Sequence, residues 1–350
     1  MIPNKTQYII GWDIGGAHLK AVLTDHQGMA QQALQVPCPL WRGLDELTLA
    51  FKQVMLQLNI VKAQHAITMT GELVDTFENR HDGVLQIAQL MQQLLGDDCV
   101  FYAGDTHFLT FEQVAMHTQD IASANWQASA NFVATFIDKG LLIDVGSTTA
   151  DFVLIDDHKT MLNGFNDATR LQTSELLYTG AYRTPVMAIA HLVPFAGDWV
   201  HVAAEHFATM ADVYRITGDC QDGDDMSDTA DGKGKSLAES MTRLARMIGR
   251  DRADAPHEAW FGLAFYLKHA QIALLKQAAF RQLSRLPAQT DFCIIGAGAG
   301  NFLVRALAQQ LGINYNCATE LIDANQQSTR EAAAICLPAY ALANLLNKNA

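Results

Sequence analysis

The chain has 350 residues, 49% of them apolar and 17% charged, with a formal net charge of −13. That length suits two lobes, each with its own core, and the acidic balance argues against nucleic-acid and anionic-membrane partners, which require clustered Lys and Arg. It leaves room for a small anionic ligand, because backbone N–H groups and a metal ion can outweigh global charge locally.

In chain order, Tyr8–Ile14 reads as a strand that ends in Gly15-Gly16, and His18–Asp25 as a second strand, so the pair predicts a hairpin. Gly28 marks a turn. Apolar residues at helical spacing predict a helix over 44–58. A short strand at 66–70 leads into Gly71-Glu72-Leu73-Val74-Asp75, then come an amphipathic helix at 84–95 and a strand at 99–102 followed by Gly104-Asp105. Residues 112–136 read as helical.

A second start follows. Gly140–Val145 is a strand running into Gly146-Ser147-Thr148-Thr149, and Ala150–Ile155 is a strand after it, so the strand–turn–strand pattern with an Asp near the first strand's end recurs after about 130 residues. This predicts a duplicated lobe. Beyond it lie a loop at 179–185, a helix at 203–216, and the Asp- and Gly-rich stretch 219–235, read as a solvated, flexible loop. Ser236 and Glu239 form a capping-box pattern opening a helix at 236–248. A long helix is expected at 257–284, a strand at 292–295 ending in Gly296-Ala297-Gly298-Ala299-Gly300, a helix at 301–311 and a C-terminal helix at 330–346.

The six cysteines (38, 99, 220, 293, 317 and 336) contain no CxxC pair, as expected of reduced thiols. The opening Met1-Ile2-Pro3-Asn4-Lys5 has no signal-peptide character, and no apolar run reaches the ~18 residues of a membrane span. A cytoplasmic protein is expected.

Three segments carry chemistry. Asp13, Gly15 and Gly16 place a carboxylate beside backbone that can approach an anion, and the Asp suits Mg²⁺ held through water; a tight hairpin turn alone would also explain them. Asp144, Gly146, Ser147, Thr148 and Thr149 add hydroxyl donors, and Asp151 a further carboxylate. Two such loops together point to a phosphate-and-metal site in which Asp13, Asp144 and Asp151 would hold Mg²⁺. Gly296, Gly298 and Gly300 follow a strand and open a helix, where an anion or nucleotide can sit; the GxGxG spacing is not the NAD fingerprint, and close strand–helix packing is the alternative. Arg183 is a candidate anion clamp or a surface ion pair. Neither HExxH nor GxSxG is present.

The two Asp-Gly loops and the late GxGxG resemble the actin, sugar-kinase and heat-shock-ATPase superfamily. That resemblance implies a two-lobed α/β fold with duplicated β-hairpin phosphate loops and a central cleft: an N-terminal lobe of 1–138 joined by the C-terminal helix 330–350, and a C-terminal lobe of 139–329. A narrower set of segments is similar to the hydantoinase/oxoprolinase-like proteins of tetrahydromethanopterin-linked C1 transfer. It comprises Gly11–Lys20, Thr70–Asp75, Ala124–Trp126, Leu142–Asp151, Tyr178–Val186, Ala204–Tyr214, Thr229–Lys233 and Arg243–Asp251. Ser174 stands where that pattern leads one to expect Gly before Glu175. Archaeal members serve methanofuran biosynthesis, joining an aminomethyl-furan-methyl diphosphate to the phenol oxygen of γ-glutamyltyramine; a bacterial member would serve methylofuran with a tyrosine-derived acceptor.

The resemblance implies that Asp13 and Asp144 hold Mg²⁺ on the leaving diphosphate, that Lys20 and Arg183 grip the diphosphate or a substrate carboxylate, and that Asp105, Glu72 or Asp151 serves as base. The partners are then a furan diphosphate and a phenolic acceptor, and a homo-oligomer stays open. The superfamily leaves two alternatives: an ATP-dependent kinase or cyclic-amide hydrolase, and a nucleotide-gated scaffold ATPase.

Overall fold

The computed structural model describes residues 8–105, 107–220, 223, 225–287 and 291–349. The chain divides into two compact units: residues 1–139, 155–161 and 317–350 form the first, and 140–154 and 162–316 the second. Residues 317–329, expected in the second lobe, group with the first unit instead, because they pair with its sheet edge: Ala30 donates to the Asp323 carbonyl at 2.8 Å and Asn325 to the Ala30 carbonyl at 3.0 Å.

The first unit opens with an antiparallel meander of β1 (Tyr8–Ile14), β2 (His18–Asp25) and β3 (Ala30–Pro37). After helix α1 (Leu44–Leu58), strand β4 (Gln64–Met69) runs parallel to β1, with Asp13 opposite Thr68. Helix α2 (Arg80–Leu95), β5 (Cys99–Tyr102) and β6 (Phe108–Leu109) complete a six-stranded sheet of order β3-β2-β1-β4-β5-β6. The stretch expected as one helix at 112–136 is three: α3 (Phe111–Val114), α4 (Thr118–Ile121) and α5 (Asn125–Ala134). The helix is interrupted where Ala122 bridges to Met69 and Ser123 takes a left-handed φ of 53°.

The second unit repeats the plan. Its sheet has the order β10-β8-β7-β13-β14, from β7 (Gly140–Val145), β8 (Ala150–Asp156), β10 (Leu176–Leu177), β13 (Cys293–Ala297) and β14 (Asn314–Cys317); a short β9 (Lys159–Met161) pairs with β8. β13 runs parallel to β7 with Ala297 opposite Asp144, as β4 does to β1. Between β9 and β13 lie α6 (Asp167–Thr173), a hairpin of β11 (Leu192–Phe195) and β12 (Asp198–His201), α7 (Met210–Thr217), α8 (Leu237–Arg246) and α9 (His257–Leu283); α10 (Asn301–Leu311) follows β13. The helix expected from 203 starts only at Met210, where Thr209 and Asp212 form a capping box. Ser236 and Glu239 make the expected one for α8.

Ser174 is the left-handed C-cap of α6, φ 56°, a position where glycine is the least strained residue; its hydroxyl accepts from Arg281 at 3.0 Å instead. The C-terminal helix is two, α11 (Gln327–Ile335) and α12 (Leu337–Asn349), divided at Cys336 just ahead of Pro338. Among the described residues no helix is long and apolar enough to cross a membrane.

The acidic stretch differs from expectation. Gln221, Asp222 and Asp224 lie outside the described residues and Asp228 is exposed, but Asp219, Asp225 and Asp231 are pinned rather than solvated. Asp219 pairs with Lys268 at 2.7 Å and Asp225 with Arg215. Asp231 pairs with Arg246 at 3.2 Å and with the buried Arg243 at 3.0 Å, and Arg243 also grips the buried Asp212 at 2.7 Å. A buried guanidinium needs several acceptors to offset its desolvation, and the loop supplies one of them.

Candidate functional site

Asp13 and Asp144 occupy equivalent places, each one residue before the end of the central strand of its sheet. Each turn closes with the same bond: Gly15 N–H to the His18 carbonyl, and Gly146 N–H to the Thr149 carbonyl, both 2.9 Å. In each unit the loop after the parallel neighbour strand caps the last carbonyl of the central strand. Thr70 N–H donates to Ile14 at 2.9 Å and Gly300 N–H to Val145 at 2.7 Å. The duplication therefore extends to individual hydrogen bonds.

In the second unit, the N–H groups of Gly180, Ala181, Tyr182 and Arg183 donate to the carbonyls of Thr148, Gly146, Ser147 and again Ser147, at 2.8–3.1 Å. In a trans peptide C=O and N–H point opposite ways. Pinning three successive carbonyls on one side thus turns the N–H groups of Ser147, Thr148 and Thr149 to the other, the arrangement of an anion nest. Gly180 permits this approach, since a Cβ there would lie 2.4 Å from the Thr148 nitrogen. A buried network holds Gly180: Gln271 Nε2 reaches the carbonyls of Thr179 and Gly180 at 3.1 and 3.0 Å, Thr184 Oγ1 donates to Gly180 at 2.8 Å, and Tyr214 donates to Gln271 Oε1. Burial pushes the Tyr214 phenol well above its ordinary range, so it remains a donor.

The other expected members join this loop. Arg183 is exposed and points Nη1 at Thr148 Oγ1, 3.4 Å away. The glycine run packs onto the Asp144 turn: a Cβ on Gly298, whose φ is +79°, would sit 2.3 Å from the Asp144 carboxylate, and one on Gly300 2.4 Å from the Val145 side chain. At Gly296 the crowding comes from Asn301 and Tyr315. Close packing thus accounts for all three glycines. Asp151 is engaged elsewhere, its Oδ1 paired at 2.9 Å with Arg170, which is fully buried; burial raises its pKa against the pull of that arginine. The metal expectation is left to Asp13 and Asp144. Among the described residues no three His, Cys, Asp or Glu side chains come together as a metal cluster.

In the first unit, Asp13 is 4% exposed and its Oδ1 has no hydrogen-bond partner among the described residues. Lys20, opposite it in the β1–β2 register, approaches Oδ2 at 3.8 Å. Burial raises the Asp13 pKa, opposed by Lys20 and the Asn125 side chain. Around the turn, the Gly16 and Ala17 carbonyls accept from Leu40 and Cys38 at 3.0 and 2.8 Å, and a Cβ on Gly16 would lie 2.8 Å from Val74. Asp105 sits on the exposed β5–β6 turn in a left-handed conformation, φ 43°, held by Gln127 Nε2 at 3.2 Å. Glu72 is buried and accepts from Ser123 Oγ at 2.7 Å. Helix α5 therefore serves both carboxylates, with Asn125 at Asp13 and Gln127 at Asp105.

Sequence reasoning missed Asn125, Gly180, Gln271 and Tyr214 as site-building residues. Gly180, Asn125 and Tyr214 stood inside recognisable segments, whereas Gln271 lies on a helix with no local signal.

Residues 64–335 match the family model described as Hydantoinase/oxoprolinase. The chain is 33% identical over 272 residues to the (4-{4-[2-(gamma-L-glutamylamino)ethyl]phenoxymethyl}furan-2-yl)methanamine synthase of Methanocaldococcus jannaschii, covering 77% of this chain and 80% of that protein. A synthase of the same name from Methanococcus vannielii is 35% identical over 123 residues, covering 35% of this chain and 55% of that one. Among solved structures, nucleotide-free acetone carboxylase is similar with a TM-score of 0.56 at 9% identity, over 97% of this chain and 70% of that one. That likeness concerns the fold alone, the duplicated α/β arrangement of two sheets described above. By the match over 64–335 and the identity to the archaeal synthase, the chain belongs to the hydantoinase/oxoprolinase family.

Proposed function

We propose that the chain is a synthase that joins a furan-methyl diphosphate to a phenol oxygen and releases diphosphate, in the making of a methanofuran- or methylofuran-type carrier. The observation that carries this reading is the 33% identity, over most of both chains, to a synthase named for its product, a phenoxymethyl-furan methanamine. An ether between a furan-methyl carbon and a phenol oxygen is the bond this reaction would form.

In the reaction, the bond from the furan-methyl carbon to diphosphate breaks and its electron pair leaves with diphosphate. The phenol oxygen supplies the pair for the new C–O bond, and its proton passes to a base. The furan ring stabilises positive charge at the methylene carbon, so departure leads attack. What the chain must then supply is stabilisation of the anion as it separates. The N–H groups of Ser147, Thr148 and Thr149, with Arg183 beside them, suit that task. A phenol, with a pKa of about 10, needs a base as the bond forms; Asp105, held by Gln127, and Glu72, held by Ser123, are the candidates.

The buried, unpartnered Oδ1 of Asp13 fits a hydrated cation. Asp13 and Asp144 are the residues that would hold Mg²⁺, which when bound would supply positive charge to the diphosphate.

The test is incubation with furan-methyl diphosphate, Mg²⁺ and candidate phenols, read by mass spectrometry of the ether and by diphosphate release. Ether formation that falls at least about 100-fold in both Asp13→Asn and Asp144→Asn is the expected result. ATP turnover with no ether from any phenol would overturn the reading.

A further inference from the structure

Helix α9 is apolar on both sides. Its inner face buries Trp260, Leu263, Leu267 and Leu275. Its outer face carries Phe261 and Phe265, 41% and 50% exposed, stacked at 6.3 Å, with His269 edge-on to Phe265 at 4.4 Å. Beside this stripe, Trp199 of the β11–β12 hairpin is 62% exposed and packs edge-on to Tyr266 at 6.2 Å. A helix apolar all round is normally covered on both faces, and a contiguous exposed apolar patch of this kind marks an interaction surface.

The stripe is also palindromic about Leu267. Glu258 and Lys276 lie nine residues either side of it, Phe261 and Ala273 six, and Phe265 and His269 two. All six share the outer face, at successive spacings of 3, 4, 4, 4 and 3 residues. We infer that α9 is the contact between two copies of this chain, packed antiparallel about a two-fold axis at Leu267. In a two-fold contact, if residue i meets j, then j meets i. The register that centres on Leu267 sets acid against base at both ends, a phenyl ring against the small Ala273 on each side, and Phe265 against the imidazole of His269. A partner of another chemistry would place no demand on the stripe to complement itself. The inference is independent of the synthase reading.

The experiment is sedimentation of the full chain over a range of concentrations, with each variant's thermal melt recorded. The wild type is expected to be a dimer, and Phe265→Glu a monomer with an unchanged melt. Glu258→Lys and Lys276→Glu should each weaken dimerisation about tenfold, since each places two like-charge pairs in the contact. The double reversal should restore it. A wild type that stays monomeric, a dimer indifferent to Phe265→Glu, or single reversals that the double variant does not rescue would each overturn the inference. The charge variants sit at the ends of the stripe, so they decide the matter even if Phe265→Glu fails to fold.

Discussion

Asp13 is a carboxylate placed where folding alone would not favour one. Its pKa is raised chiefly by burial, with Lys20 and Asn125 only partly opposing the shift. The native state therefore holds the Asp13 proton to higher pH than the unfolded chain does. By linkage, stability falls as pH rises through the window above the ordinary value near 4, and the carboxylate is a net cost at neutral pH. Asp13→Asn should therefore melt higher than the wild type at pH 7, with the gap closing as pH falls toward about 4, while ether formation is lost. Adding Mg²⁺ should raise the wild-type melting temperature and leave the variant's unchanged; equal shifts in both would remove Asp13 from the metal site. His65 has the opposite sign. It is buried, its Nδ1 accepts from Trp12 Nε1 at 3.1 Å, and desolvation pushes its pKa down to about 4. The unfolded chain takes up that proton first, so stability should drop by about 3 kcal/mol as pH falls from about 6.5 toward 4. Urea melts across that range should show the slope, and His65→Gln should flatten it.

At the level of elements, the Asp144 turn is shaped by a loop that touches it only in three dimensions. Gly180→Ala would drive a Cβ to within 2.4–2.5 Å of the Ser147–Thr148 backbone. The nest must open, so ether formation should fall at least about 100-fold. The thermal melt should shift by far less than it would for a core substitution, because the displaced loop is partly exposed. An active Gly180→Ala would separate this loop from the chemistry. The same contrast explains what could be read in advance. Both hairpins, their Asp-Gly turns and the glycine run at 296–300 were legible because strand alternation and Gly spacing are local signals. Strand β3 was not, since Ala30–Pro37 has no clean alternation and gains its place from β2 and from pairing with 323–325. The break at Ser123 and the approach of Gly180 are tertiary demands on the backbone, invisible to periodicity. The tethering of the acidic stretch was hidden similarly, because Asp231 and its partners Arg243 and Arg246 meet only once α8 is folded.

For the whole molecule, the order of the chain is not the order of its units. The N-terminal sheet that carries Asp13 is closed by the last residues of the chain. On α12, Leu337, Ala339, Tyr340, Ala341, Leu342 and Ala343 are all buried, and a Cβ on Gly11 of β1 would collide with the Ala339 carbonyl at 1.8 Å. Cys336, at the head of α12, lies close enough to Asp13 and Lys20 for both charges to act on its thiol. A polypeptide of residues 1–139 would keep all six strands of the sheet yet leave the α12 face of β1 open to water. It should fail to fold cooperatively, because a sheet must bury its apolar face against another layer. Joining 1–139 to 317–350 through a short flexible linker restores that layer and should give a cooperative melt by circular dichroism. Folding of 1–139 by itself would show that α12 is an accessory. Failure of the joined chain would instead place the missing stabilisation in 155–161, whose Thr160 and His158 bond to Asn131 and Ala134 of α5. Either result bears on Asp13, since α5 also brings Asn125 to its carboxylate, and the geometry of that carboxylate then depends on chain segments more than 300 residues apart.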